Sequence, residues 1–272
     1  MTVGTILALA TVYYHVHLLT PRVQRAQAER GLGNGYYVGG DFYPIWLTSR
    51  ELLMHGRDPY SNEVTKEIQA GLYGRSLDAH KVDDPPDDYR TFAYPLYADF
   101  LFFPFAYVPF TTVRLILAIL LPMISIAAIF IWLRALCISF SWFSFAFISI
   151  LTLSSYPLLE ALIAEQAGIL VWALAGASVL AVRKERYKQA GAFLALATIK
   201  PQMVVLLIVW LAAWAVADWH NRKPLLWTFL SLQVLLWGAG EIVLPGWFSE
   251  WVHVLVGYPR YGGAILSVRL LK

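Results

Sequence analysis

Asp41 is the carboxylate whose position points most directly to chemistry. It lies in GGDFYPIW (39–46), after the first hydrophobic stretch and at the start of a polar loop that precedes several membrane-length apolar segments. A carboxylate at the mouth of a membrane bundle can take a proton from an acceptor hydroxyl. The alternative interpretation is structural: Asp41 is also typical of a residue that caps a short amphipathic helix, here one lying on the membrane from Phe42.

The aromatic residues around Asp41 suggest a carbohydrate ligand. Phe42, Tyr43 and Trp46 can stack on a sugar ring or anchor a helix at the level of the lipid headgroups. We therefore expect Tyr43 to contribute to substrate binding.

Lys200 is the second candidate, because an ionisable residue at membrane depth is costly and marks a functional site by default. A phosphate is its natural partner, and broken helices commonly point their ends at such anions. The alternative is a lysine whose ammonium snorkels to the interface. Pro201 disfavours helix at the preceding residue. We predict that Gln189–Asp218 forms two short helices meeting at Lys200, and one long helix with a proline kink is the alternative.

Other polar residues give weaker signals. Glu160, Glu165 and Gln166 can line the same cavity as Lys200 or can be ordinary interfacial residues. The acidic residues at 83, 84, 87 and 88 flank two prolines without a regular ligand spacing, so we expect a solvated loop and no metal site. The glycine-rich run 31–40 is predicted to be a loop. Phosphate-binding, zinc-protease and serine-hydrolase motifs are absent from the sequence.

The composition is typical of a membrane protein. Hydrophobic residues make up 58% of the 272 residues and charged ones 14%, against about 25% charged in soluble domains. The net charge is +3, but the basic residues collect at the edges of apolar segments, so we expect no nucleic-acid partner. Cys137 is the one cysteine, which excludes a disulfide framework and a cysteine-type structural zinc site.

Spanning helices need about 20 apolar residues. Five segments are predicted to span: Val3–Leu19, Thr112–Leu133, Cys137–Tyr156, Ile163–Val182 and Leu225–Leu244. For the first of them, a cleaved signal peptide is the alternative.

The distribution of positive charge predicts the orientation of these spans. The basic loop 183–188 (RKERYK) should face the cytoplasm, and so should Asn221–Pro224. The N-terminus then lies inside, whereas Thr20–Tyr94 and the predicted loop Ser154–Gln166 lie outside. The aromatic, proline-broken segment Phe92–Phe110 is predicted to be an interfacial or re-entrant helix.

The order of several short motifs resembles glycosyltransferase family 87. GGDF at 39–42 is followed by HGRDPY at 55–60, FAYPLY at 92–97, EQAG at 165–168 and AGAFLALATIKPQ at 190–202. The resemblance implies the C-type glycosyltransferase fold and polyprenyl-phosphate sugar donors, and the family includes mannosyl- and arabinofuranosyltransferases. Asp41 matches the first-loop aspartate to which the family's general-base role is assigned.

The resemblance also implies substrate-binding roles for Tyr94 and Gln166, with two departures from the family pattern. Tyr-Pro-Pro appears here as Tyr94-Pro95-Leu96, and Glu165 stands before Gln166 where the pattern has glycine, with Gly168 in place of asparagine. The chain also ends before the family's later spans, so we expect it to be truncated at its C-terminus.

We therefore predict an all-α, polytopic membrane helix bundle of the C-type glycosyltransferase kind, a single partial domain over 1–272. Its long first extracytoplasmic loop, 20–110, should carry short amphipathic, interfacial helices. We expect it to transfer a mannose- or arabinofuranose-type sugar from a polyprenyl-phosphate donor to a lipid or glycan acceptor, without a cofactor, in a multi-pass cell-membrane protein with an extracytoplasmic active site. In this hypothesis Asp41 is the base, Lys200 binds the donor phosphate, and membrane lipids surround the chain. The alternatives are a transporter or flippase of lipid-linked sugars and a non-catalytic remnant.

Overall fold

The computed structural model describes residues 2–29, 38–77 and 90–261, and within these ranges every regular element is helical. The prediction of an all-α protein is therefore confirmed. Up to the first long apolar helix the elements are α1 (Thr2–Tyr13), a π-helical segment (Tyr14–Leu19), α2 (Thr20–Glu29), α3 (Tyr43–His55), α4 (Asn62–Tyr73), α5 (Tyr97–Phe102) and a 3₁₀ segment (Phe103–Tyr107). The remaining elements are α6 (Phe110–Ala135), α7 (Trp142–Leu153), α8 (Tyr156–Ile163), α9 (Gly168–Arg183), α10 (Tyr187–Ala197), a 3₁₀ turn (Pro201–Met203), α11 (Val205–Ala217), α12 (Trp219–Val243) and α13 (Trp247–Tyr261).

Two helices of the described chain, α6 and α12, are long and apolar enough to cross a membrane, and α7 with α8 adds a third span if that bent pair crosses together. The predicted spans Thr112–Leu133 and Leu225–Leu244 thus correspond to long helices. The helices α9 and α11 are apolar but shorter. These helices are typical of a membrane protein. Fewer of them have full spanning length than the five spans that were predicted.

Three segments predicted between Cys137 and Val182 have different boundaries in the structure. The predicted straight span Cys137–Tyr156 is α7 followed by a 68° bend into α8, and α8 occupies most of the expected loop Ser154–Gln166. Pro157, at the beginning of α8, is typical of a first helical turn. The predicted span Ile163–Val182 accordingly begins at Gly168, and the basic Asn221–Pro224 lies within the first two turns of α12.

The chain forms two compact units. We call Met1–Arg22 with Arg114–Ala239 the first unit, and Val23–Val113 with Gly240–Lys272 the second unit. Asp41, Tyr43 and Tyr94 belong to the second unit, whereas Gln166 and Lys200 belong to the first.

In the first unit, small residues let the helices approach closely. A Cβ built on Gly191 of α10 would lie 2.3 Å from the carbonyl oxygen of Leu225 in α12, so only glycine fits there. Ser178 of α9 donates a 2.9 Å hydrogen bond to the carbonyl of Ala190. This mode of packing, small residues plus hydroxyl-to-carbonyl bonds, is typical of helices in membranes.

The predicted break at Lys200 is confirmed. The helix α10 ends at Ala197, a 3₁₀ turn follows, and α11 begins at Val205, so the alternative of one long kinked helix was wrong. The carbonyl of Ala195, near the break, accepts a hydrogen bond from the Thr198 amide (3.2 Å) and further ones from Thr198 Oγ1 (2.6 Å) and Gln233 Nε2 (3.2 Å). These side chains supply hydrogen bonds to the backbone at the break between the helices, as an apolar environment requires.

In the second unit, α3 and α4 are consecutive helices joined by the segment 56–61. The helix α3 ends at Gly56, whose left-handed φ of 64° terminates it, and Ser61 caps α4 by accepting from the amide of Val64. Between them Arg57 donates to Glu51 (2.9 Å) and, through both guanidinium nitrogens, to Glu67 (3.0 and 2.7 Å). The motif HGRDPY thus joins the two helices.

Candidate functional site

Asp41 is held by Arg90, a residue to which the sequence assigned no role. Arg90 Nη1 donates to Asp41 Oδ1 at 2.5 Å, and the two side chains are 17% and 23% exposed. A charge-assisted bond of this kind fixes the carboxylate in one orientation. The other oxygen, Oδ2, has no hydrogen-bond partner among the described residues and so stays open to a ligand.

The prediction that Asp41 caps the following helix is wrong. The residue at the N-cap of α3 is Phe42, and no side chain caps this end. The reason is geometric: the amides of Phe42 and Tyr43 are already taken by the carbonyl of Gly39 (3.2 and 3.1 Å). The Asp41 side chain therefore does not cap α3 and pairs with Arg90 instead.

Two hydrogen bonds fix the backbone of the segment from Arg90 to Tyr94. The carbonyl of Tyr94 accepts a 2.9 Å hydrogen bond from the Tyr60 hydroxyl, and the carbonyl of Ala93 accepts one of 3.0 Å from the Trp251 indole. The Tyr94 ring is half-buried, 6.0 Å from the ring of Phe92. The fixed backbone positions both Arg90 and Tyr94, and the predicted role of Tyr94 in substrate binding stays a prediction.

Tyr43 packs within the second unit. Its ring stands edge-on to Phe110 with centroids 4.9 Å apart and lies 5.6 Å from Trp46. Its hydroxyl occupies the space where a side chain on Gly71 would stand, and burial raises the pKa of this hydroxyl above its ordinary value. The sugar-stacking role predicted for Tyr43 is untested by these contacts and stays a prediction.

Asp99 is a buried carboxyl beneath α3. Its Oδ1 accepts hydrogen bonds from Thr48 and Ser49, both at 3.1 Å, whereas Oδ2 is buried without a partner. Complete burial raises the pKa of Asp99 well above its ordinary value, against the opposing effect of the hydrogen bonds from Ser49 and Thr48. Asp99 joins α5 to the helix that follows Asp41.

Lys200 lies beside the N-terminus of α9. A Cβ built on Gly168 would be 3.7 Å from the Lys200 ammonium nitrogen and 3.2 Å from Met203 Sδ. A cavity of about 260 Å³ adjoins this point, and its mostly apolar lining includes Leu158, Gln166, Ile169, Trp172 and Met203. The structure therefore places Gln166, Gly168 and Lys200 around one location of the first unit.

Glu165, next to Gln166, is buried with one oxygen unsatisfied. Oε1 lies 3.5 Å from Arg114 Nε, whereas Oε2 is buried and has no hydrogen-bond partner in the part of the chain that the structure describes. Burial raises the pKa of the Glu165 carboxyl to about 7, against the opposing effect of Arg114. Sequence alone indicated Glu165 as a polar residue that either lines the cavity of Lys200 or lies at the membrane interface.

A buried histidine connects the end of the first helix to α8. His15, in the π-helical segment and 1% exposed, lies 3.0 Å from Glu160 Oε1. This contact within the first unit joins two regions that the charge distribution predicts on the outer side, the C-terminal end of the first span and the 154–166 segment. The contact shows that these two regions lie together, and their orientation in the membrane stays a prediction.

Within the described ranges, no group of three or more histidine, cysteine, aspartate or glutamate residues is arranged to hold a metal ion. The acidic stretch 83–88 and most of the glycine-rich run 31–40, both predicted to be loops, lie outside the described residues.

The comparison with protein families decides the identity of the chain. The model of glycosyltransferase family 87 matches residues 92–264. The chain belongs to glycosyltransferase family 87. No curated protein and no solved structure matches it.

Membership of family 87 implies the C-type glycosyltransferase fold and a membrane enzyme that takes sugar from a polyprenyl-phosphate donor. The matched region contains Tyr94, Glu165, Gln166 and Lys200. Asp41 lies before it, so its role in a family 87 reaction depends on the geometry of the second unit and on the short motif around it.

Proposed function

We propose that this family 87 protein transfers a mannose- or arabinofuranose-type sugar from a polyprenyl-phosphate donor to a lipid or glycan acceptor at the outer face of the cytoplasmic membrane. The observation that carries the proposal is the position of Lys200, at a helix break and beside the N-terminus of α9. An ammonium and the positive end of a helix dipole both favour an anion, and the donor phosphate is the anion that this reaction requires.

The cavity beside Lys200 suits a donor that is polar at one end and apolar at the other. Its lining is mostly apolar, with Thr152, Ser155 and Gln166 supplying the polar side chains, and Gly168 of the lining adjoins Lys200. In this proposal the phosphate lies at Lys200, the first carbons of the polyprenyl chain enter the cavity, and Gln166 donates to a phosphate or sugar oxygen.

Asp41 is the proposed general base. It accepts the proton of the acceptor hydroxyl as that oxygen attacks the anomeric carbon and the bond to the phosphate breaks. The proton passes to Oδ2, the oxygen without a partner, while Arg90 holds Oδ1. Tyr43 and Tyr94 are proposed to contact the substrate from the same unit, and the segment 20–110 is proposed to be the extracytoplasmic loop of the fold.

The phosphate role of Lys200 is tested by titrating a polyprenyl-phosphate sugar against the purified protein. Lys200→Met keeps the length of the side chain but removes its charge, so donor affinity should fall at least tenfold, the equivalent of about 1.4 kcal/mol. Lys200→Arg should keep part of the affinity, because a guanidinium also pairs with phosphate. Lys188→Met, in the basic segment 183–188, is the matched control and should bind as wild type does. Equal affinities for wild type and Lys200→Met would mean that the lysine only snorkels.

Family membership favours transfer over transport. A transporter of lipid-linked sugars would also use broken helices and a lysine, but the family is one of glycosyltransferases. Formation of a glycosylated acceptor from labelled donor, in detergent without any compartment to cross, is the result expected of the transferase and impossible for a transporter.

A further inference from the structure

Glu165 occupies a backbone conformation that a glutamate adopts only at a cost. It lies in the link between α8 and α9 with a φ of 56°, in the left-handed region that favours glycine. A residue with a Cβ loses about 1–2 kcal/mol there. The side chain is also 4% exposed, and burial of a carboxyl costs further free energy unless it is paired. The left-handed backbone belongs to the end of α8, where the Gln166 amide donates to the carbonyl of Ala161 at 2.8 Å, so the buried carboxyl is the feature that calls for a functional explanation.

The environment of Glu165 leaves one carboxyl oxygen without a hydrogen-bond partner among the described residues. Oε1 is 3.5 Å from Arg114 Nε of α6, but Oε2 is buried without a partner. The next residue, Gln166, lines the cavity, and Gly168 adjoins the Lys200 ammonium. The remaining charged group on the neighbouring helix α8, Glu160, pairs with His15.

We propose that Glu165 binds the donor phosphate as a neutral carboxylic acid and takes up a proton from solution when the donor enters. The inference rests on the proposed phosphate site at Lys200. A carboxylate beside a phosphate would repel it, whereas a protonated carboxyl donates an O–H hydrogen bond to a phosphate oxygen. Oε2 is the oxygen available to carry that hydrogen.

The surroundings of Glu165 allow its carboxyl to be protonated at neutral pH. Burial raises the pKa of the free carboxyl to about 7, with Arg114 opposing the rise. An anionic phosphate nearby stabilises the protonated form further. If only the protonated form binds the donor, affinity is fully present below pH 7 and falls above it, by about tenfold between pH 6 and pH 8.

The experiment titrates a polyprenyl-phosphate sugar, a phosphodiester that keeps one negative charge over this range, against the full chain at pH 6 and pH 8. Wild type should bind about tenfold more tightly at pH 6. Glu165→Gln resembles the neutral acid, so its affinity should be nearly the same at both pH values. Glu185→Gln is the matched control, since Glu185 has the same left-handed backbone (φ 57°) but is exposed. It should keep the wild-type dependence.

A second measurement does not depend on the folding of a variant. Calorimetric titration of wild type at pH 7, in buffers of different ionisation enthalpy, should show uptake of about half a proton per donor bound. Donor binding that is equal at both pH values and takes up no proton would overturn the role of Glu165 and leave the phosphate site standing. A pH dependence that persists in Glu165→Gln would also overturn it, because another group would then titrate. Absence of donor binding at both pH values would refute the proposed function itself.

Discussion

Arg90→Met removes the only charged partner of Asp41 within the described residues, and its effect can be worked out from the structure. The 2.5 Å bond joins two side chains that are about one-fifth exposed. Hydrogen bonds to charged groups contribute about 1.5–3 kcal/mol. If the bond orients the base for the transition state, that range corresponds to a loss of roughly 10- to 100-fold in transfer rate, at about 1.4 kcal/mol per factor of ten.

The assay is the initial rate of sugar transfer from a labelled polyprenyl-phosphate donor, measured alone and in a double-mutant cycle. Because Arg90 acts through Asp41, Arg90→Met should cause little further loss in the Asp41→Asn background. Arg57→Met is the matched control: Arg57 joins α3 to α4 in the same unit, so this change should lower thermal stability but spare the rate of the folded protein. Equal losses from Arg90→Met in both backgrounds would refute the orienting role.

Three further predictions concern the fold. Gln233→Leu removes a donor at the helix break, so unfolding free energy should fall by about 1–3 kcal/mol in a denaturant titration, and an unchanged midpoint would contradict the capping role. Gly191→Ala forces a Cβ against backbone and should lower the melting temperature, whereas Gly238→Ala, which meets open space, should not. In a cysteine-free background, single cysteines at 76 and 189 should be labelled from opposite sides of the membrane. Labelling of both cysteines from the same side would contradict the predicted orientation.

The parts of the fold that were predicted correctly are marked by local signals in the sequence. Pro201 within an apolar run was enough to place the break at Lys200, because proline constrains the residue before it. The uncharged run from Leu115 to Trp132 similarly predicted α6. A local signal is also present for α8, in Ser155 followed by Pro157, although the polar residues nearby are equally typical of a loop.

The parts that were missed depend on contacts between distant residues. Asp41 and Arg90 are 49 positions apart, and Arg114 and Glu165 are 51 apart, so no periodicity connects them. The left-handed backbone at Glu165 has no sequence signature either, because glycine is the residue that normally marks such a position. Sequence therefore indicated which polar residues to consider but not which partners hold them.

The central claim is that Asp41 accepts the acceptor's proton, and one comparison of transfer rates tests it most directly. Asp41→Asn keeps the shape of the side chain but cannot take a proton, so the transfer rate should fall roughly 10²–10⁴-fold while donor affinity is retained. Asp58→Asn is the matched control in the same unit, because an amide oxygen can also accept the 2.8 Å bond from the Tyr60 amide, and it should transfer sugar at the wild-type rate. Wild-type transfer by Asp41→Asn would contradict the account.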